Sequence, residues 1–241
     1  VNETNLSSFK KLLGDGSQWG LKISYAVQKS PDGLAQAFLI AEDFLDDSPS
    51  VLILGDNLYH GNDIGPQLIK ANKDYNSSTI FVYPVSDPER YGVAEFKDNK
   101  VINLYEKPKK PKSRYAVTGL YFYDNTAVQK AKKIKPSERG ELEITSLNNL
   151  YLKEDNLKVE VMGRGVAWLD TGTFDSLHQA GTYIRVLERR QGLKVGCPEE
   201  IAWRKGWIND NSLKHLANQM IKSGYGKYLL EIIDDPFKNS Y

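Results

Sequence analysis

Residues 51–57 read VLILGDN, four apolar residues running straight into Gly, Asp and Asn. An apolar run of that length, stopped by a turn cluster, predicts a central strand buried on both faces. In open α/β sheets ligands sit beyond the carboxyl ends of the strands. Asp56 is therefore expected to carry a carboxylate into such a crevice from a stiff part of the fold.

Working outward, residues 21–27 (LKISYAV) alternate as a strand does, and 28–38 (QKSPDGLAQAF) place Pro31-Asp32-Gly33 just before a helix. Leu34, Phe38, Ala41 and Leu45 share one face of that helix. Strand, turn, helix and the 51–54 strand make a predicted βαβ unit, whose crossover is right-handed. Ahead of it, a short helix over 6–14 ends at Gly14. Downstream the pattern predicts a helix over 63–73 and a buried strand over 79–85. Strand-like stretches at 91–96, 101–105 and 115–123 follow without full crossover helices. A helix over 143–153, with Ile144, Leu147 and Tyr151 on one face, leads to a strand over 157–162. Val166 to Leu169 then run as a short strand into Asp170-Thr171-Gly172. The next helix, 173–190, puts Leu177, Ala180, Ile184 and Leu187 on its inner face. The expected class is α/β, Rossmann-like, with a mixed, mainly parallel central sheet flanked by helices over residues 1–190. Residues 191–241 read as a small helical subdomain without short repeats.

The totals fit an ordinary globular chain: 241 residues, 40% hydrophobic, 26% charged, net charge +1. A balance so near neutral argues against nucleic acid or an anionic membrane as partner. No window has the apolar length of a membrane span, and the first residues lack a signal-peptide core. Cys197 is the one cysteine, which excludes a disulfide framework and a thiolate zinc site. A cytoplasmic location is the expectation.

Asp56 and Asp170 share a context, an apolar strand ending in a carboxylate before a Gly or Asn turn. Two such ends could give Mg²⁺ its preferred oxygen ligands, with substrate phosphates completing the shell. Each Asp could equally cap the turn that follows it. Gln28 offers an amide donor and acceptor side by side, matching the imide edge of a pyrimidine, and Gly33 would permit close backbone approach. A plain turn and helix start explains the same residues. Glu106-Lys107 ends a strand with opposite charges pointing to opposite faces. Lys107 would suit a sugar phosphate and Glu106 sugar hydroxyls, against the alternative of a solvated strand end. Tyr91-Gly92 and Val117-Thr118-Gly119 mark either close backbone approach or bulges. His60, His178 and His215 are scattered without ligand spacing.

Taken together, QKSPDGLAQAF (28–38), VLILGDNLYHG (51–61), DPERYGVAEF (87–96), EKPKKPKS (106–113), AVTGLYFYD (116–124), KPSERGELEITSLN (135–148), GRGVAWLDTGTFDSL (163–177) and RRQGLKVGCPEEIAWRKGW (189–207) resemble the sugar nucleotidyltransferase family. The resemblance is to those members that join dTTP and glucose-1-phosphate into dTDP-glucose and pyrophosphate, the first step of dTDP-rhamnose synthesis. It implies that Asp56 and Asp170 bind Mg²⁺, and that Gln28 and Gly33 read the thymine base. Gly92, Glu106, Val117 and Trp168 would line the glucose pocket, with Lys107 on its phosphate. It also implies a homotetramer with a second, regulatory nucleotide site matching Tyr59, Arg164, Glu200 and Ile201. There His60 stands where the family has a small residue. The family opens with a strand and a GGxGTRLxP loop that wraps the triphosphate. The sequence begins at Val1, past that unit, so the chain as given is expected to be inactive or nearly so. The alternatives are a UTP-using hexose-1-phosphate nucleotidyltransferase and a non-catalytic, nucleotide-binding regulatory paralogue.

Overall fold

The structure is a computed structural model that describes residues 1–74 and 76–235. The chain runs through α1 (Leu6–Leu13), α2 (Gln36–Ile40), α3 (Glu42–Leu45), β1 (Ser50–Ile53), β2 (Asn57–His60) and α4 (Ile64–Lys73). It continues through β3 (Ser78–Pro84), β4 (Gly92–Lys97), β5 (Lys100–Glu106), β6 (Tyr115–Tyr123), α5 (Ala127–Ala131) and α6 (Ile144–Lys153). It ends with β7 (Leu157–Val161), β8 (Ala167–Asp170), α7 (Phe174–Gln191), α8 (Pro198–Arg204), α9 (Asp210–Gln219) and α10 (Gly224–Asp234). Two compact units form, Gln28–Ala180 and a second one made of Val1–Val27 with Gly181–Tyr241. These units divide at 27/28 and 180/181, beside the boundary at 190/191 expected from the sequence.

In the larger unit the sheet order is β5-β4-β6-β3-β7, with β1 beside β6. β1, β3 and β4 each run antiparallel to β6, and β7 runs parallel to β3. So β1, β3, β4 and β7 point one way, as expected of a mixed α/β sheet. The expected mainly parallel pairing is corrected, because β6 inserts itself between strands of the same direction. Only β3–β7 is a parallel ladder among the described residues. β3 alternates strictly between two cores. Ile80 and Val82 join Val117, Tyr121, Leu147 and Tyr151 on one side, and Phe81 joins Leu120, Phe122 and Met162 on the other. Fully buried side chains such as Leu147 and Phe81 each gain about 1.5–3 kcal/mol relative to exposure. Where β6 ends, Asp124 accepts from the Thr126 N–H (2.9 Å), the Tyr151 hydroxyl (2.8 Å) and Asn156 Nδ2 (3.1 Å). That network satisfies a carboxylate the core would otherwise not tolerate.

Several local expectations are corrected. β1 is not buried on both faces: Leu52 and Leu54 pack on the core, whereas the alternating Val51 and Ile53 are exposed on the other face. Residues 21–27 stay outside any ladder, so the predicted βαβ unit does not form. Alternation chooses a strand's faces but supplies no partner. The helix predicted from Leu34 to Leu45 divides at Ala41 (φ −97°, ψ 12°), and Leu34 is exposed. On α7 Ala180 is buried while Leu177 is exposed.

In the second unit α8, α9 and α10 close around Cys197, Leu213, Ala217, Leu229 and Ile232. Asn209 caps α9 by accepting from the Ser212 N–H at 3.0 Å, and Ser223 caps α10. Trp19 is buried, and Gly20 (φ 71°) leaves so little room that a Cβ there would stand 3.0 Å from the Trp207 carbonyl oxygen. The N-terminal residues belong to this unit through that packing. Of the expected helical tail, residues 236–241 lie outside the described residues.

Candidate active site

β1 gives way at Gly55-Asp56 to β2, which pairs antiparallel with β8 and sets Asn57 opposite Asp170. The Thr171 N–H and hydroxyl both donate to the Asp56 carbonyl at 2.8 Å, tying the two strand ends together. A Cβ on Gly172 would stand 3.1 Å from Asp170 Oδ1 and 3.7 Å from Asp56 Oδ2, so both carboxylates converge on that glycine. Asp170 Oδ1 accepts from the Gly172 N–H (3.0 Å), and its Oδ2 from Arg90 (3.2 Å) and the Tyr91 hydroxyl (3.4 Å). Burial, first of all, pushes the Tyr91 hydroxyl up to about 12, so it stays a donor. Asn57 Nδ2 donates to Asp56 Oδ1 at 2.8 Å. The described residues contain no cluster of three or more His, Cys, Asp or Glu suited to a metal. Two converging carboxylates still offer the all-oxygen donor set of a hard cation that shares its shell with phosphates.

These aspartates line a cavity of about 470 Å³ together with Gly92, Glu106, Lys107, Val117 and Trp168. That volume suits a small-molecule ligand, for which pockets of roughly 300–1,000 Å³ are usual. Gly92 pairs with Glu106 across the β4–β5 ladder. A Cβ on Gly92 would stand 3.1 Å from Thr145 Oγ1 and 3.7 Å from Glu106 Oε2, so the glycine keeps the pocket floor open. Thr145 donates to Glu106 Oε2 at 2.5 Å, and Arg139 reaches Oε1 at 3.5 Å. Burial raises the Glu106 carboxyl above its ordinary range, and the Thr145 hydrogen bond works against that rise. Lys107 holds φ 38° with its N–H on the Tyr91 carbonyl (3.0 Å), and its side chain is exposed. Trp168 packs against Tyr83 and Tyr91 and gives its indole N–H to Asn57 Oδ1 at 2.6 Å.

The expected metal, sugar and phosphate residues are therefore brought into one cavity. Gln28 and Gly33 are not among its lining residues, although Leu34 is. The Gln28 amide donates to Gln36 Oε1 (2.7 Å) and to the Gly33 carbonyl (3.3 Å). Gly33 (φ 106°) is required where it stands, because a Cβ would lie 2.4 Å from the Leu142 carbonyl oxygen. Tyr59 sits opposite Trp168 with its hydroxyl 3.4 Å from Asn57 Oδ1, and burial raises it. Arg164 is exposed in the turn before β8. Glu200 and Ile201 lie on α8 in the other unit, where Glu200 accepts from Arg204 Nε (2.7 Å) and the Tyr228 hydroxyl. Sequence reasoning missed Asn57, Arg90, Arg139 and Thr145. All four lie inside the motifs that carry the resemblance, and polar character beside a candidate residue, as at Asn57 next to Asp56, was the available signal.

A family model described as nucleotidyl transferase matches residues 1–185. A glucose-1-phosphate thymidylyltransferase of Xanthomonas campestris pv. campestris is 57% identical over 92% of this chain and 75% of its own. That of Neisseria meningitidis serogroup A is 52% identical over 94% of this chain and 79% of its own. The crystal structure of a Bacillus anthracis protein assigned as a glucose-1-phosphate thymidylyltransferase superposes with a TM-score of 0.71 at 38% identity, covering 82% of this chain and 76% of that one. A UDP-glucose pyrophosphorylase complexed with UDP-glucose, at 21% identity and a TM-score of 0.59, shares the fold. The chain belongs to the nucleotidyl transferase family, among its glucose-1-phosphate thymidylyltransferases.

Proposed function

We propose that the protein transfers the thymidylyl group of dTTP to glucose-1-phosphate, the step that opens dTDP-rhamnose synthesis. A phosphate oxygen of the sugar phosphate attacks the α-phosphorus as the bond to the β-phosphate oxygen breaks, leaving dTDP-glucose and pyrophosphate. The observation that carries this reading is the convergence of Asp56 and Asp170 in a cavity shared with Glu106 and Lys107. Asp56 and Asp170 would hold Mg²⁺, which when bound neutralises charge on the nucleotide phosphates. Lys107 neutralises the sugar phosphate, and Glu106 accepts hydrogen bonds from sugar hydroxyls above the Gly92 floor and the Val117 and Trp168 walls. The work is positioning and charge neutralisation rather than covalent catalysis. Gln28 would exchange its bond to Gln36 for the thymine imide edge beside Gly33. On the resemblance alone, we also propose a cytoplasmic homotetramer in which Tyr59, Arg164, Glu200 and Ile201 meet a regulatory nucleotide.

Product formation by the full-length protein from glucose-1-phosphate with dTTP, UTP or CTP, with Mg²⁺ or a chelator, tests the reading. dTTP with Mg²⁺ is expected to give the fastest turnover, and Asp56→Asn and Asp170→Asn to abolish it. Preference for UTP overturns the substrate, and full activity of either Asn variant overturns the metal site.

A further inference from the structure

We propose that Arg90 is a positioning residue that holds the Asp170 carboxylate and competes with a metal ion for it, so that the metal site opens more readily when nucleotide is present. The inference rests on the reading of Asp56 and Asp170 as metal ligands. The two carboxylates are unequally free. Asp56 Oδ1 takes the Asn57 amide, and its Oδ2 meets no hydrogen-bond donor among the described residues. Asp170 is the more heavily engaged: Oδ1 accepts from the Gly172 N–H, and Oδ2 from both Arg90 and the Tyr91 hydroxyl. A cation arriving alone would meet the Arg90 charge already paired with Asp170, and would have to displace that contact to take the carboxylate through Oδ2 as well as Oδ1.

Arg90 is built to let go. It lies in the short 3-10 turn Pro88–Arg90 just before β4, with its other terminal nitrogen on Asp87 Oδ2 at 2.9 Å. Its guanidinium lies 5.2 Å from the centre of the Tyr91 ring. Releasing Asp170 therefore leaves it still held by Asp87 and Tyr91. With 40% of its side chain exposed against 17% for Asp170, Arg90 can swing toward solvent or a ligand without leaving its own charge buried and unpaired. Nucleotide phosphates would change the balance twice. They bring ligands that complete the metal's shell, and they offer the guanidinium an acceptor in exchange for Asp170. Metal and nucleotide thus each favour the arrangement that the other needs.

Mn²⁺, followed by its electron paramagnetic resonance signal, is the probe for the full chain with and without dTTP and without sugar phosphate. Arg90→Ala and Arg90→Gln are expected to bind Mn²⁺ about tenfold more tightly than wild type in the absence of nucleotide, the scale of losing one charge-assisted competitor. Arg139→Ala removes an equal charge from the same cavity without touching Asp170, and is expected to leave Mn²⁺ affinity unchanged. With dTTP present the advantage of the Arg90 variants should vanish. Unchanged Mn²⁺ affinity in both folded Arg90 variants overturns the proposal, as does an equal gain in Arg139→Ala, which would reveal only the general field. If Asp56→Asn and Asp170→Asn bind Mn²⁺ with dTTP as wild type does, the metal reading itself falls, and the role of Arg90 with it.

Discussion

Asn57 donates to Asp56 Oδ1 at 2.8 Å while its own Oδ1 accepts the indole N–H of Trp168 at 2.6 Å and the Gly119 N–H at 3.1 Å. One amide thereby joins the carboxylate proposed for the metal to the wall proposed for the sugar. Its orientation is fixed, because two N–H donors on one side require the carbonyl oxygen there and leave the NH₂ for Asp56. Gly119 is part of the same arrangement, since a Cβ there would stand 2.7 Å from Asn57 Oδ1.

Replacing Asn57 by Ala should leave the Trp168 indole and Gly119 N–H groups without acceptors and free Asp56 to rotate. Such orphaned donors cost about 1–3 kcal/mol. Urea unfolding should show that loss, and turnover should fall with a raised requirement for divalent metal. Wild-type stability in this variant would remove Asn57 from the role given to it.

Gly33 and Gly140 separate backbone conformation from space. Both have positive φ, 106° and 79°, but a Cβ on Gly33 would meet the Leu142 backbone at 2.4 Å, whereas Gly140 has open space. Gly33→Ala should cost about 3 kcal/mol or more, the sum of strain and overlap. Gly140→Ala should cost only about 1 kcal/mol. Equal losses in thermal or urea unfolding would contradict the close approach of the two segments.

Much of this arrangement was legible before any coordinates, because its signals are local. The apolar run at 51–54 and the turn at 55–57 located Asp56, and the same pattern located Asp170. Helix α6 followed from the spacing of Ile144, Leu147 and Tyr151, all three of which are buried. The errors are non-local. The run at 51–54 reads as two-sided core, but only the face of Leu52 and Leu54 is covered, and Val51 and Ile53 are exposed. Residues 21–27 alternate well, yet hydrogen-bond to Asp15 and Gly16 in place of a strand partner. Ladder direction was equally out of reach, since nothing in β6 itself announces that it will separate β1 and β4 from β3. Asn57 and Arg90 escaped notice because their roles lie in bonds to other polar groups, which periodicity does not record.

Glu106 makes a prediction in pH. Burial raises its carboxyl, with Glu143 adding to the rise and the Thr145 hydrogen bond, Lys107 and Arg139 opposing it. A carboxyl whose folded value is raised binds its proton more tightly in the folded state. Its ionisation therefore lowers stability as pH climbs from the unfolded value through the raised folded one, and the penalty is complete above that window. Glu106→Gln keeps an acceptor for Thr145 and has no charge to desolvate. Relative to wild type it should gain stability at neutral pH, with the difference shrinking in acid, while sugar-phosphate turnover is lost. A stability difference that does not change between acid and neutral pH would refute this account.

Lys107 separates function from stability. It is a non-glycine residue at φ 38°, anchored by its backbone N–H to the Tyr91 carbonyl, with an exposed side chain. Strain of that kind persists at functional sites when the side chain is needed where the backbone delivers it. Lys107→Ala keeps the same backbone requirement and should leave stability within about 0.5 kcal/mol. Its turnover should drop roughly 10²–10³-fold, as expected for losing a preorganised charge at the attacking sugar phosphate. Lys107→Gly should go further in opposite directions, gaining up to about 1 kcal/mol by relieving the positive φ while remaining as slow as the Ala variant. Paired kinetics and unfolding curves on the two variants decide the matter. Near-normal turnover in Lys107→Ala would show that the ammonium group does not meet the phosphate, and destabilisation of Lys107→Gly would show that the backbone there is not strained.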